Sequence, residues 1–117
     1  MALKNDPPKP LHHPVEVNLR EEERLLEVTW SDGRVSTYPL RYLRGFCPCA
    51  TCQGHRAGEP EFVHTHKESI LDVRPVGSYG MNVIWDSGHD TGIYSFAYLR
   101  DLDPQQKFPE GIHPDYL

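Results

Sequence analysis

The chain contains two copies of one sequence pattern, and this repeat limits the folds it can adopt more than any other feature. Residues 28–34 read Val-Thr-Trp-Ser-Asp-Gly-Arg, and residues 83–89 read Val-Ile-Trp-Asp-Ser-Gly-His. Each copy continues with a tyrosine and then the sequence Tyr-Leu-Arg, at residues 38–44 and 94–100. A unit this small cannot bury an apolar face by itself, so the two copies are expected to share one core.

Alternating apolar and polar residues predict strands around a glycine-containing turn in each copy, followed by a short helix. Pro39 ends a strand and stands where a helix can begin, whereas Pro75 places its strand at an edge or a bulge. The predicted strands are 15–19, 25–30, 34–38, 69–76, 81–85 and 91–94, and the predicted helices are 40–46 and 96–102. The expected fold class is α+β, a small antiparallel sheet built from two related hairpin-plus-short-helix units.

A chain of 117 residues is expected to form one domain. Residues 1–14 contain four prolines and few apolar side chains, which predicts a flexible leader. Residues 15–103 would form the domain, and residues 104–117 an irregular tail. The predicted core consists of matching aromatic and leucine positions in the two copies: Trp30, Trp85, Tyr42, Tyr98, Leu43 and Leu99.

All three cysteines, Cys47, Cys49 and Cys52, lie within six residues. Thiolates at this spacing can converge on a soft or borderline cation, and three of them leave one tetrahedral position for a histidine. A Cys3His metal site is the leading hypothesis. A disulfide between Cys47 and Cys49 would be strained, because the two are too close along the chain. The alternatives to a metal site are therefore reduced metal-free thiols and a Cys49–Cys52 redox pair.

Two histidines can complete such a site. His55 follows Cys52 by three residues, and closing this short loop costs less conformational entropy than closing a long one. His89 follows the glycine of the second turn. If a pseudo-two-fold axis relates the copies, that turn comes near the end of the first helix and brings His89 to the thiolates. The spacing slightly favours His55, whereas the periodicity leaves both histidines open.

Charge and hydropathy argue against several classes of function. The net charge of −5 disfavours a general nucleic-acid binder, which normally has a basic face. No apolar run is long enough to cross a bilayer, so no membrane association is expected. The first 14 residues lack the apolar segment of a signal peptide. A reducing cytoplasmic setting is therefore expected, and it suits thiolate ligands better than disulfides.

Residues 15–103 resemble the gamma-butyrobetaine hydroxylase-like N-terminal domain family, which in bacteria occurs mainly as a small stand-alone protein of unknown function. Five segments carry the resemblance: Trp30-Ser31-Asp32-Gly33, Tyr38-Pro39, Tyr42-Leu43-Arg44, Cys47-Pro48-Cys49-Ala50-Thr51-Cys52 and Gly88-His89-Asp90-Thr91-Gly92-Ile93-Tyr94. In eukaryotic hydroxylases the module precedes an oxygenase domain and binds zinc through three cysteines and a histidine. The resemblance thus implies one zinc ion per chain, with four ligands: Cys47, Cys49, Cys52 and His89.

These observations together predict a non-catalytic zinc-binding domain that acts as a binding or scaffold module. A filled Cys3His site has no open coordination position, so no enzymatic activity is expected. One alternative is an iron–sulfur or metal-trafficking accessory protein that uses the same cysteines, because a similar domain is attached to some iron–sulfur carrier ATPases. The other is a thiol redox protein. The expected partner is a protein, for which an iron–sulfur assembly protein and an oxygenase are the candidates.

Overall fold

The computed structural model describes residues 12–54 and 60–117, and in these residues each sequence copy forms one three-stranded antiparallel sheet. The strands are β1 (Pro14–Arg20), β2 (Leu25–Trp30), β3 (Val35–Pro39), β4 (Ile70–Val76), β5 (Gly80–Trp85) and β6 (Gly92–Ser95). The helices are α1 (Leu40–Gly45), α2 (Ala50–Gln53), α3 (Phe96–Leu102) and α4 (Pro104–Lys107), and Pro114–Tyr116 form a 3-10 turn. The sheet orders are β1-β2-β3 and β4-β5-β6. The α+β class with two hairpin-plus-helix units is confirmed.

The predicted strands and helices agree with the structure to within one residue at each end. The sequence did not predict α2, which is a single helical turn inside the cysteine loop. Residues 104–117, predicted as an irregular tail, contain α4 and the 3-10 turn. Most of the predicted leader, residues 1–11, lies outside the described part of the chain, and Pro14 already begins β1.

The two units exchange hydrogen bonds in matching pairs. Four tyrosine hydroxyls each donate, at 2.6 Å, to a carbonyl in or directly after a helix of the other unit: Tyr38 to Leu99, Tyr94 to Leu43, Tyr42 to Leu102 and Tyr98 to Phe46. The two bonds of a pair are related by a shift of 56 residues, added for the donor and subtracted for the acceptor, so that Tyr38 to Leu99 corresponds to Tyr94 to Leu43. An internal pseudo-two-fold therefore relates the units, and the buried hydroxyls are satisfied across it.

The shared core lies between the two sheets and the helices α1 and α3. Five of the six predicted core residues are fully buried: Trp30, Trp85, Tyr42, Leu43 and Leu99. The sixth, Tyr98, is half-buried. Buried and partly exposed residues alternate along β2 and along most of β5, as the period-2 pattern predicts. Among the described residues, no helix is long and apolar enough to span a membrane.

Candidate metal centre

The three cysteines meet His89 where the first unit contacts the second. The Nε2 atom of His89 lies 3.3 Å from the Sγ of Cys47 and 3.6 Å from the Sγ atoms of Cys49 and Cys52. The four ligand atoms all lie within 4.8 Å of one another. The structure thus brings together the four side chains that the family resemblance implied, although their role as metal ligands stays a prediction. The competing histidine, His55, lies outside the described residues.

These distances fit four ligands of a single tetrahedral ion. With zinc–sulfur bonds of about 2.3 Å and zinc–nitrogen bonds of about 2.0 Å, tetrahedral geometry separates sulfur and nitrogen by about 3.5 Å. The observed sulfur–nitrogen separations are 3.3 to 3.6 Å. The donor set is also of the kind that zinc and other borderline cations prefer. This Cys3His group could therefore hold one metal ion.

Helix α2 determines how two of the cysteines are presented. Cys49 precedes the helix with extended backbone, and its carbonyl accepts hydrogen bonds from the amides of Cys52 and Gln53 at 3.1 and 2.9 Å. Residues three apart on a helical turn lie on the same side, so Cys49 and Cys52 face the same ion position. The Gln53 side chain donates to the Cys47 carbonyl at 3.2 Å and accepts from the Glu61 amide at 3.0 Å. This amide ties the cysteine loop to the segment that follows it.

The turn between β5 and β6 presents His89. The Trp85 amide donates to the His89 carbonyl at 3.0 Å, and Gly88 has a positive φ of 94°, which favours glycine. The side-chain amide of Asn82 donates to the carbonyls of Asp90 and Gly92 at 2.8 and 3.0 Å. The imidazole is therefore carried by a turn that is fixed at both ends.

Burial and hydrogen bonding act in opposite directions on the thiols. Burial raises the pKa of Cys47 to about 12. Burial also tends to raise the pKa of Cys49, but hydrogen bonds from Thr91 and from the neighbouring Cys52 and Cys47 outweigh it and lower the pKa to about 6. Cys49 is thus readily ionised at neutral pH, whereas Cys47 needs a cation to stabilise its thiolate.

Gly92 leaves room for the sulfur of Cys47. A Cβ atom at position 92 would lie 2.6 Å from the Cys47 Sγ. In the first unit the equivalent position, 56 residues earlier, is Ser36, whose hydroxyl bonds to Asp103. The second copy therefore has glycine where the first has serine, because a sulfur atom occupies the space of the side chain.

Replacing Gly92 by alanine is expected to displace the Cys47 sulfur and weaken metal binding at least tenfold, by analogy with losses caused by misoriented ligands. Competition with a coloured chelator measures the affinity. Ile93→Ala, at the exposed neighbouring position, is the control and should bind metal as the wild type does. Unchanged affinity in Gly92→Ala would contradict this view of the position.

An ion pair occupies the place in the other unit that corresponds to the metal centre. Asp103 is the pseudo-symmetric counterpart of Cys47, and Arg34, like His89, is the first residue after its turn glycine. The Nε of Arg34 lies 3.0 Å from a carboxylate oxygen of Asp103, which is fully buried. The Ser36 hydroxyl donates to the same oxygen at 2.6 Å. Both junctions between the units are thus closed, one by the ion pair and the other by the Cys3His group.

The two tryptophans show the same difference between the junctions. The indole nitrogen of Trp30 donates to the Ser36 hydroxyl at 2.9 Å. The indole nitrogen of Trp85 is buried and has no hydrogen-bond partner within residues 12–54 and 60–117. Its missing acceptor corresponds to Gly92, which has no hydroxyl. Trp85 thus lacks the acceptor that Trp30 has, because the second copy has glycine where the first has serine.

Two further histidines of the described residues, His64 and His66, do not join the cluster. His64 and His66 are exposed, and the part of the chain that is described contains one group of metal-ligating side chains, the Cys3His group. Sequence reasoning missed three polar residues beside the centre: Arg44 contacts Cys52, Ser87 accepts from the His89 amide, and Glu68 binds both Arg44 and Ser87. The Leu-Arg ending of each repeat was the available signal for Arg44, whereas Glu68 and Ser87 carried none.

The family model described as gamma-butyrobetaine hydroxylase-like, N-terminal, matches residues 17–100. A curated relative, the gamma-butyrobetaine dioxygenase of Pseudomonas sp. (strain AK-1), is 37% identical over 78 residues, which are 64% of this chain and 20% of the relative. The chain therefore spans about a fifth of the length of that enzyme.

Solved structures also resemble the chain. One is the crystal structure of a protein of unknown function in the DUF971 family from Acidithiobacillus ferrooxidans, with a TM-score of 0.64, 35% identity, and coverage of 78% of this chain and 92% of that one. Another, solved by NMR in solution, has a TM-score of 0.70, 33% identity, and coverage of 86% of this chain and 76% of that one. The fold described above is thus shared with these proteins.

Proposed function

The chain belongs to the gamma-butyrobetaine hydroxylase-like N-terminal domain family, and on that basis we propose that it is a non-catalytic zinc-binding domain that acts as a binding or scaffold module. The proposed ligands are Cys47, Cys49, Cys52 and His89. The observation that carries the proposal is the spacing of their four ligand atoms, which suits one tetrahedral ion. The ion would link the cysteine loop of the first unit to the second turn of the other.

A structural role for the ion follows from the number of protein ligands. Catalytic zinc sites keep one coordination position for water or substrate, whereas structural sites are filled by four protein ligands. The Cys3His set supplies four. In the Pseudomonas relative the matching segment is a fifth of a longer enzyme, which supports a role in contact with another protein or domain. We therefore propose a protein partner.

The spacing of the ligands bears on the choice between an ion and an iron–sulfur cluster. The cysteines of a cluster bond to different iron atoms and so lie farther apart than ligands that share one ion. Ligand atoms within 4.8 Å of one another favour the single ion. A metal-trafficking role for the same thiolates remains the second candidate function, since the lowered pKa of Cys49 makes one thiolate available at neutral pH.

Metal analysis of protein purified without added metal tests the proposal. We expect about one zinc per chain, measured by mass spectrometry of the elements. Cys47→Ser and His89→Ala should each lose the zinc, because three ligands hold the ion far less tightly than four. His55→Ala is the control and should retain it.

Each other outcome contradicts a defined part of the proposal. Zinc retained in His89→Ala would remove that residue from the ligand set. Iron accompanied by visible absorbance would show a cluster in place of zinc. Metal-free protein that forms a Cys49–Cys52 disulfide under mild oxidation would instead support the redox role.

A further inference from the structure

Arg44, at the end of α1, reaches the sulfur of one cysteine. Its Nη1 donates to the Cys52 Sγ at 3.4 Å, and its Nε lies 3.0 Å from a carboxylate oxygen of Glu68. The side chains of Arg44 and Glu68 are only 10% and 7% exposed. An arginine this deeply buried is normally held by a carboxylate, but here the same guanidinium also contacts a thiol.

The contacts continue from Glu68 to the turn that carries the histidine. The Ser87 hydroxyl donates to the second carboxylate oxygen of Glu68, and it accepts a hydrogen bond from the His89 amide at 3.4 Å. A polar path thus runs from Cys52 through Arg44, Glu68 and Ser87 to the backbone of His89. It joins ligands from both units without passing through an ion.

The position of Arg24 strengthens this path. Its guanidinium donates to the carbonyl of Glu68 and, at 3.1 Å, to the hydroxyl of Ser69. The backbone around Glu68 is therefore fixed although it belongs to no helix or strand. A fixed backbone limits the positions of the Glu68 carboxylate, and the carboxylate in turn limits the orientations of Arg44, which it binds.

Charge gives the path a role at the centre. Three thiolates exceed the charge of a divalent ion by one unit, and that excess is costly in a partly buried site. A guanidinium that donates to one sulfur offsets the excess charge and fixes the direction of that ligand. Groups that orient metal ligands in this way commonly contribute a factor of about 10 to 100 in metal affinity.

We propose that Arg44, oriented by Glu68 and Ser87, is a positioning residue of the metal centre that aligns Cys52 and balances the excess negative charge of the thiolates. This inference rests on the proposed metal-binding function. It assigns the buried ion pair of Arg44 and Glu68 to the metal centre rather than to the core alone.

The internal pseudo-two-fold supplies a matched control. Arg100 occupies the position in the second unit that corresponds to Arg44, and it donates to both carboxylate oxygens of Asp32 at 3.0 Å. It also lies over the ring of Trp30, 5.1 Å from the centroid. Replacing either arginine breaks an ion pair between the units, but of the two only Arg44 contacts a sulfur.

The test compares Arg44→Met with Arg100→Met by titration with zinc and with cobalt(II), whose spectrum reports on sulfur ligands. Arg44→Met is expected to weaken metal binding 10- to 100-fold. Its sulfur-to-cobalt charge-transfer band should move to lower energy, because the Cys52 sulfur loses a hydrogen bond. Arg100→Met should keep the wild-type affinity within about threefold, below the range expected for an orienting residue, and an unchanged band.

Further outcomes separate this inference from the proposed function. Wild-type protein that binds neither metal would overturn both. Wild-type binding together with unchanged affinity and band in Arg44→Met would overturn the role of Arg44 alone. If Arg44→Met does not fold, Arg44→Lys takes its place. Lysine keeps the charge but cannot contact Cys52 and Glu68 together as the guanidinium does, so a smaller shift of the charge-transfer band is expected. An unmoved band in Arg44→Lys would count against the role of Arg44.

Discussion

Removing the metal is expected to lower the free energy of unfolding by about 4 kcal/mol when the comparison is made against protein with free zinc a thousandfold above its dissociation constant. The ion stabilises the folded state alone, since only folding brings its ligands together: Cys52 and His89 are 37 positions apart in the chain. Urea unfolding with and without a strong chelator measures the difference.

The loss of order should be confined to one junction between the units. Hydrogen exchange of the metal-free protein is expected to rise in residues 46–53 and 86–92, and to stay low around Arg34 and Asp103, where the ion pair needs no metal. Cys47→Ser is the control, because chelator should not change its stability further. Equal stability of the zinc-loaded and zinc-free wild type would show that the ion contributes nothing to folding.

Local patterns in the sequence were sufficient for the repeat and its strands and helices. The alternation around Trp30 and Trp85 and the glycine turns after them are properties of a few consecutive residues, and the structure follows them closely. Four residues are too few to show a helical period, so α2 had no signal. The hydrogen bonds that tyrosine hydroxyls of each unit donate to the other could not be predicted from sequence spacing, since they depend on how the helices pack.

The candidate site was predictable only in part for the same physical reason. The three cysteines are close in sequence, so their convergence required little beyond the loop. The choice of histidine depended on tertiary arrangement, and the family resemblance, rather than loop-closure entropy, pointed to His89. The contact of Arg44 with Glu68 joins two units through a segment without regular structure, so no local pattern of apolar and polar residues encodes it.

The ion pair at the other junction is expected to matter for stability independently of metal. Asp103→Ala should lower the free energy of unfolding by about 3 kcal/mol, because removing one partner of a buried pair leaves the other without its counter-charge. The buried carboxylate also accepts the Ser36 hydroxyl at 2.6 Å and the Gln105 amide at 3.0 Å, and both donors lose their acceptor. Part of the loss is recovered since Arg34 is 27% exposed and can be hydrated.

Urea unfolding of Asp103→Ala, with zinc content measured on the same sample, separates the two junctions. Asp72→Ala is the control, since Asp72 forms an exposed pair with Arg74 and its removal should change stability little. If Asp103→Ala loses stability yet keeps one zinc per chain, the two junctions contribute to stability separately. The Cys3His group then stabilises one junction as the ion pair stabilises the other. If zinc is lost as well, the centre depends on the opposite junction, and the two halves of the molecule cannot be treated as independently closed.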